Sequence, residues 1–326
     1  MNSIKKIYYP EIFQGKYKKK NYFEGWYFKN IDKAKENALA VIPGVSFGKR
    51  NDDAYCFIQI LNKSDDKTYY IKFNINEFKY NENHFEIEIG NNYFSAEKMR
   101  LDICNDDVCI KGILRFDNIL QIKKTTFRPG IMGPFSFIPF MECYHGIVNI
   151  HHEIKGRIEY NGKVIDFDKG YGYIEKDWGR SFPSSWIWVQ SNHFYKEDAT
   201  VMFSIAKIPF MKKCFTGFIS FLRVKDTIYY FATYTNAKIK KLDILDNKLD
   251  LIISDKDYIF ELHAENSSGG LLKAPQKGEM VRQIYESIDA KVRVILKDKK
   301  GKLLFEGEGT NAGMEVMCNK DEFSNL

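Results

Sequence analysis

The sequence predicts an all-β protein, and three observations carry that prediction. Apolar and polar residues alternate with period two in segment after segment, as a half-buried strand requires. Turn residues interrupt these runs every ~8–12 residues, the rhythm of a sandwich or barrel. Aromatic residues are abundant, with 4 Trp, 20 Tyr and 26 Phe against 8 Pro in 326 residues, and aromatic side chains suit a pleated surface. Strands do not alternate with helical stretches, which excludes a parallel α/β sheet.

The elements follow in chain order. Tyr22, Glu24, Trp26 and Phe28 share one face of a first strand and place a carboxylate among aromatics. Tyr69, Ile71, Phe73 and Ile75 alternate with Tyr70, Lys72, Asn74 and Asn76, and Phe85, Ile87 and Ile89 with Glu86 and Glu88. The Pro/Gly-rich stretch Arg128 to Pro139 reads as a long connection. Ile154 to Ile165 reads as a hairpin, because Asn161-Gly162 fits a type I′ turn. A second hairpin runs from Val292 to Phe305 through Asp298-Lys299-Lys300-Gly301. Residues 275–290 are the best helix candidate, although Ile284, Ile288, Val292 and Val294 also fit one strand face. The break at Gly179–Pro183 sets the domain boundary, giving domains 1–180 and 181–326.

Composition excludes several function classes. The formal charge of +6 comes with no RNA-binding signature, so no nucleic-acid partner is expected. The run Lys16, Lys18, Lys19 and Lys20 is a solvated edge or a transient contact for anionic lipid headgroups. No uncharged apolar stretch reaches ~18 residues, the length of a spanning helix. The opening MNSIKKIYYPEIFQG has no apolar leader. A cytoplasmic protein with free thiols is therefore expected, although a Cys104–Cys109 disulfide across Asn105–Val108 is geometrically allowed.

Familiar motifs fail on context. Gly44-Val45-Ser46-Phe47-Gly48 matches a nucleophile elbow, but a charged turn and a strand follow it where a helix is required. Gly307, Gly309 and Gly313 have the wrong spacing for a dinucleotide loop. His145, His151 and Glu153 share strand parity at a spacing unusual for one metal site, so no metal and no cofactor are expected.

Residues 171–193 differ in kind. Glu175 and Asp177 share a face with Tyr173, and Trp186, Trp188, Gln190 and Asn192 share another. Indoles and amides in a row suit a lined cavity as well as a structural cluster. A carboxyl in apolar surroundings holds its proton more readily, which makes Glu24 a candidate acid too.

These residues carry a family resemblance. YFEGWYFK (22–29), ALAVIPGVSFG (38–48), GPFSFIPFMECYHG (133–146), GYIEKDWGRSFPSSWIWVQSNHF (172–194) and FATYTNAKI (231–239) resemble the tocopherol cyclase family, in order and nearly end to end. Glu24-Gly25-Trp26-Tyr27 and Glu175-x-x-Trp178-Gly179 are more distantly similar to carotenoid hydratases. The resemblance implies two lipocalin-like antiparallel β-barrel domains with the ligand site near their junction. It also implies a cofactor-free reaction, in which an acid protonates a prenyl double bond on a hydroquinone and the phenol oxygen closes a chromanol ring. The plastid transit segment of plant members is not seen, in keeping with a cytoplasmic protein.

The expected proton donors are Glu175 and Asp177, with Glu24 and Glu142 behind them. Trp26, Trp178, Trp186 and Trp188 would wall the cation, which aromatic faces stabilise by ~0.5–2 kcal/mol each. His145, Gln190, Asn192 and His193 would hold the quinol hydroxyls. Two alternatives stand beside this. One is a non-catalytic lipocalin-like carrier of a hydrophobic isoprenoid or quinone, with its carboxylates neutralised by Arg or Lys; the other is an isoprenoid hydratase.

Overall fold

In a computed structural model the protein is described over residues 6–64, 67–210, 213–267, 269–319 and 322–323. Its regular structure is two antiparallel sheets and short 3-10 turns. The first sheet holds β1 (Tyr22–Ile31), β2 (Ala38–Phe47), β3 (Tyr55–Asn62), β4 (Lys67–Asn74), β5 (Phe78–Tyr80) and β6 (Glu86–Ile89). It continues with β7 (Asn92–Ser95), β8 (Lys98–Cys104), β9 (Cys109–Leu120), β10 (Cys143–Tyr160), β11 (Lys163–Asp166) and β12 (Gly170–Gly179). The strand order is β4-β3-β2-β1-β12-β10-β9-β8-β7-β6-β5, with β11 beside β10. The two edge strands, β4 and β5, are joined by only the turn Ile75–Glu77. So short a link between opposite edges obliges the sheet to curl towards a closed barrel.

The second sheet obeys the same logic. It contains β13 (Trp186–Ser191), β14 (Ala199–Phe210), β15 (Lys213–Val224), β16 (Thr227–Ala232) and β17 (Lys238–Leu245). Next come β18 (Lys248–Ser254), β19 (Tyr258–Glu265), β20 (Gly270–Gln276), β21 (Glu279–Asp298) and β22 (Leu303–Met317). The order is β16-β15-β14-β13-β22-β21-β19-β18-β17, with β20 beside β21. Its edges, β16 and β17, are again consecutive in the chain. The fold is thus all-β with two lipocalin-like antiparallel barrels.

The chain divides into two compact units, Met1–Phe182 with Leu271–Gln283, and Pro183–Gly270 with Ile284–Leu326. A single cut at residue 180 places Leu271–Gln283 with the C-terminal half, whereas here it belongs to the first unit. Its backbone is fastened there by side chains of β2 and β3. Gln59 Nε2 donates to Lys273 O (3.0 Å), Gln59 Oε1 accepts from Lys273 N (2.8 Å), and Ser46 Oγ donates to Gly278 O (2.7 Å). Ser46 is buried with its hydroxyl committed to that bond, so the GxSxG match is structural.

Each unit has its own core. In the first, Trp26 stacks on Phe85 (centroids 5.6 Å), and Phe28 packs against Phe94 and Phe116. In the second, Ile187, Val189, Val201 and Phe203 surround a stacked Phe231–Phe260 pair. Two hairpins form where turn chemistry requires them. At 160–163 both Asn161 (φ 50°) and Gly162 (φ 82°) take the positive φ that a type I′ turn demands.

Two expectations are corrected. The helix candidate at 275–290 lies in β20, a turn and β21, where Ile284, Ile288, Val292 and Val294 are buried along a strand. Cys104 and Cys109 are directly opposed across the β8–β9 hairpin (Cα–Cα 4.0 Å) and joined as a disulfide. Cys56, Cys143, Cys214 and Cys318 remain free thiols. Among the described residues, no helix is long and apolar enough to cross a membrane.

Candidate active site

Three adjacent strands of the first unit, β1, β12 and β10, build the site. Alternation along β12 sends Ile174, Lys176 and Trp178 towards the barrel core and Tyr173, Glu175 and Asp177 to the opposite face. Register completes the second group, because Asp177 stands between Gly25 of β1 and His145 of β10, and Glu175 between Tyr27 and Ile147. His145 thereby reaches both carboxylates. Its Nδ1 lies 2.9 Å from Asp177 Oδ1 and its Nε2 3.7 Å from Glu175 Oε2. Tyr173 OH donates to Glu175 Oε2 at 2.7 Å. The side chains of Glu175, His145 and Asp177 are 7%, 15% and 24% exposed, so the cluster becomes more open towards Asp177.

Burial alone would push the His145 imidazole down, but the charges of Asp177 and Glu175 and the Asp177 hydrogen bond outweigh it and raise its pKa to about 9. His145 is therefore an imidazolium at neutral pH. Burial first, and the Glu175 charge second, hold the Tyr173 phenol well above its usual range, so it stays a neutral donor. His145, Glu175 and Asp177 also offer one ligand atom each within 4.8 Å of one another, a donor set that suits zinc or ferrous iron. A metal there would have to displace the imidazolium proton.

On the core face of the same strands a second charged cluster sits in a different setting. Glu24 Oε1 accepts Gln14 N–H (2.8 Å), and Oε2 accepts Gly15 N–H (2.9 Å) and Tyr22 O–H (2.5 Å). The Lys176 ammonium pairs with Glu24 Oε1. Lys176 Nζ also donates to Pro10 O (2.7 Å) and Ile12 O (2.6 Å), which spends all three of its protons. It lies 4.7 Å from the Trp26 ring and 4.9 Å from the Trp178 ring. Burial lowers the Lys176 pKa to about 8 against the opposing pull of Glu24. Both partners are fully buried, and together they fasten the N-terminal segment to the barrel.

This arrangement corrects part of the expectation. Glu24 is not a carboxyl waiting in apolar surroundings, because an ammonium and two backbone N–H groups meet it. Trp26 and Trp178 already flank a cation, and that cation is Lys176. Glu142 is half-buried just before β10 and contributes its carbonyl, which accepts Arg180 N–H (2.7 Å) and Ser181 N–H (3.2 Å). Trp186, Trp188, Gln190, Asn192 and His193 all belong to the second unit and are buried there. Along β13 Trp186, Trp188 and Gln190 alternate with Ile187 and Val189 of that unit's core. Trp186 Nε1 donates to Glu315 Oε2 (2.5 Å), and Trp188 lies over Gly313, where a Cβ would come within 2.4 Å of the indole.

His145, His151 and Glu153 keep the shared parity, because the two register shifts between Ile147 and His152 cancel and leave Glu153 opposite Tyr171, but His151 and Glu153 lie along the strand away from Asp177. His151 instead packs on Tyr171 (4.6 Å), and His152 is buried against Phe116. Sequence reasoning placed Tyr173 on the face of Glu175 and Asp177 without giving it a role, and it missed Lys176. Tyr173 carried a readable signal two residues before Glu175 on the same face; Lys176 carried none.

Comparison with known proteins places this geometry in a family. A tocopherol cyclase-like family model matches residues 97–317. The rice (Oryza sativa subsp. japonica) protein named "Probable tocopherol cyclase, chloroplastic" is 24% identical over 204 residues, 59% of this chain and 43% of its own. The chain thus spans under half the length of that curated relative. Among solved structures, CghA superposes with a TM-score of 0.55 at 8% identity, covering 90% of this chain and 88% of its own. Kievitone hydratase from Nectria haematococca gives 0.51 at 13% identity, with the same coverages of 90% and 88%. Both structures are similar in fold alone. The match over residues 97–317 takes in β10 and β12, which carry His145, Glu175 and Asp177, and by it the chain belongs to the tocopherol cyclase-like family.

Proposed function

We propose that the protein is a cofactor-free cyclase that protonates a prenyl double bond on a hydroquinone and closes a chromanol ring, with Glu175 as the proton donor. The observation that carries this reading is the His145–Glu175–Asp177–Tyr173 cluster, in which a charged imidazole is held by Asp177 while its buried Nε2 has no hydrogen-bond partner and faces Glu175. One imidazolium balances one carboxylate. Of the two carboxyls Asp177 holds the imidazole, and the reading takes Glu175, the more buried of them, as the group that gives the proton.

The steps balance without redox change. Glu175 gives its proton to the less substituted CH carbon of the reacting double bond and becomes a carboxylate, leaving a tertiary carbocation on the methyl-bearing carbon. The cluster then carries one net negative charge beside that cation, an electrostatic gain that exists only once the proton has moved. The phenol oxygen attacks the cation, the C–O bond forms, and the phenol proton returns to the cluster. Holding the phenol within ~3–3.5 Å of the cation is the remaining requirement.

A carrier remains the alternative of another class. It expects carboxylates neutralised by Arg or Lys, which describes Glu24, whereas Asp177 meets the His145 imidazole. The core of the first barrel is also filled by Phe28, Phe85, Phe94 and Phe116, which speaks against a ligand-holding calyx there. Incubation with a panel of prenyl hydroquinones, with and without a chelator, tests the proposal. Ring closure appears as a chromatographic shift at unchanged mass, whatever the chelator does to trace metals. A gain of water would assign a hydratase. Activity lost to the chelator and restored by zinc would make the three ligands a metal centre.

The pH profile follows from His145. A histidine pKa raised on folding means that its charged form is kept below about pH 9 and lost above it. Its stabilising contribution is complete below its ordinary ~6.5 and disappears as pH rises through about 9. Turnover is expected to fall across that same alkaline window, measured as rate against pH with a melting curve at each point. A rate that stays flat from pH 7 to beyond 9 contradicts a role for the imidazolium.

A further inference from the structure

The connection from β9 to β10 exposes aromatic surface that the barrel core does not use. Phe127 is 80% and Phe140 95% exposed, and Phe137 is exposed between Pro134 and Pro139. Phe140 also has φ 63°, a left-handed backbone that disfavours an aromatic residue and persists only where its surroundings impose it. Here the surroundings are rigid. Tyr144 OH donates to Ile138 O (2.8 Å) and accepts Met141 N–H (3.3 Å). Tyr8 OH donates to Thr126 O (2.7 Å), and the Tyr8 ring packs edge-on to Phe137 (6.1 Å). The chain thus holds the loop firmly and still points its phenyl groups outwards.

Charge surrounds these rings with one sign in excess. Lys123 and Lys124 outnumber Glu142 in the connection, and the N-terminal segment that packs on it runs into the exposed Lys16, Lys18, Lys19 and Lys20. Glu11 sits on Lys124 (3.4 Å) and Glu82 on Lys16 (2.6 Å), which leaves the surplus basic. Exposed phenyl groups amid lysines are the chemistry of an interfacial anchor, where rings enter the headgroup region and cations meet anionic lipid.

We propose that the 121–142 connection is a membrane-docking loop, with Phe127, Phe137 and Phe140 entering an anionic bilayer surface and the neighbouring lysines holding it there. The anchor is tied to the chemistry by the chain itself, because Phe140 stands five residues before His145 and Met132 Sδ accepts the His145 N–H (3.1 Å). Delivery of a prenylated lipid from the bilayer to that site rests on the proposed function; docking does not.

Co-sedimentation of the full chain with vesicles tests docking without any substrate. Binding is expected to mixed phosphatidylglycerol–phosphatidylcholine vesicles, to be much weaker on phosphatidylcholine alone, and to fade in ~0.5 M salt. Phe140→Ser is expected to weaken it about tenfold, and Phe127→Ser with Phe140→Ser further. Lys18→Glu with Lys19→Glu should abolish only the preference for anionic lipid. Melting temperatures should not move, since the substituted side chains are exposed. A wild-type chain that stays in the supernatant overturns the proposal, as does a Phe127→Ser/Phe140→Ser variant that binds undiminished. So does a wild-type dimer, detected by size-exclusion chromatography without vesicle binding, that these substitutions dissociate, because the loop would then be an interface between copies. None of these results touches the cyclase reading, which is judged on products from detergent-dispersed substrate.

Discussion

Glu175→Gln lowers ring closure by at least about 10³-fold while leaving the fold intact. General acid catalysis is worth about 10²–10⁴-fold, and protonation of an unactivated alkene sits at the demanding end of that range. The amide keeps the size of the carboxyl and can still accept the Tyr173 hydrogen bond (2.7 Å in the native protein), but it has no acidic proton to give. Asp177→Asn acts differently. It removes the largest of the charges that raise His145, so the alkaline limb of the rate profile moves from about 9 down towards the ordinary ~6.5. A rate loss of about 10²-fold at pH 7.5 accompanies that move. The pH limb separates a positioning role from mere structural damage. Single-turnover rates across pH, with melting curves as controls, check both variants. Full turnover by Glu175→Gln and Asp177→Asn together would remove this mechanism.

Lys176→Met destabilises the first unit by about 3–5 kcal/mol, the cost of leaving one member of a buried ion pair alone. Glu24 would keep its bonds to Gln14 N, Gly15 N and Tyr22 OH but lose the ammonium that balances it. Pro10 O and Ile12 O would lose their donor in the same step. In melting temperature this amounts to a fall of about 10 °C for a unit of this size. Glu24→Leu with Lys176→Met should cost less than either single change, because no isolated charge remains. Thermal unfolding of the four proteins in the cycle measures this. A double variant less stable than both singles, with additive losses, would mean that the pair is not the electrostatic unit described here.

The two clusters show why one was legible in the chain and the other misread. Strand alternation has period two, so Tyr173, Glu175 and Asp177 fall on one face whatever the rest of the fold does. The Asn161-Gly162 turn and the Val292–Phe305 hairpin are equally local, since backbone sterics and a few neighbouring residues decide them. Glu24 among Tyr22, Trp26 and Phe28 looked like a carboxyl in grease because its neighbours in sequence are aromatic. Its neighbour in space is a lysine 152 positions away, and no pattern along the chain announces that pair.

By itself, then, the amino-acid sequence determined the all-β architecture, its turns, and the sharing of one face by Glu175 and Asp177, because each depends on contacts only a few residues long. Tertiary structure alone decided which partners those faces meet. Pairing of β12 with β10 brought His145 between the two carboxylates, and pairing with β1 turned Lys176 onto Glu24. His151 shares the face of His145 but lies further along the strand, against Tyr171, and His152 faces Phe116 in the core. The reason is electrostatic and geometric: whether a carboxyl is an acid or an anchor depends on the charge within a few ångströms of it, and in a barrel that charge arrives from a strand distant in sequence.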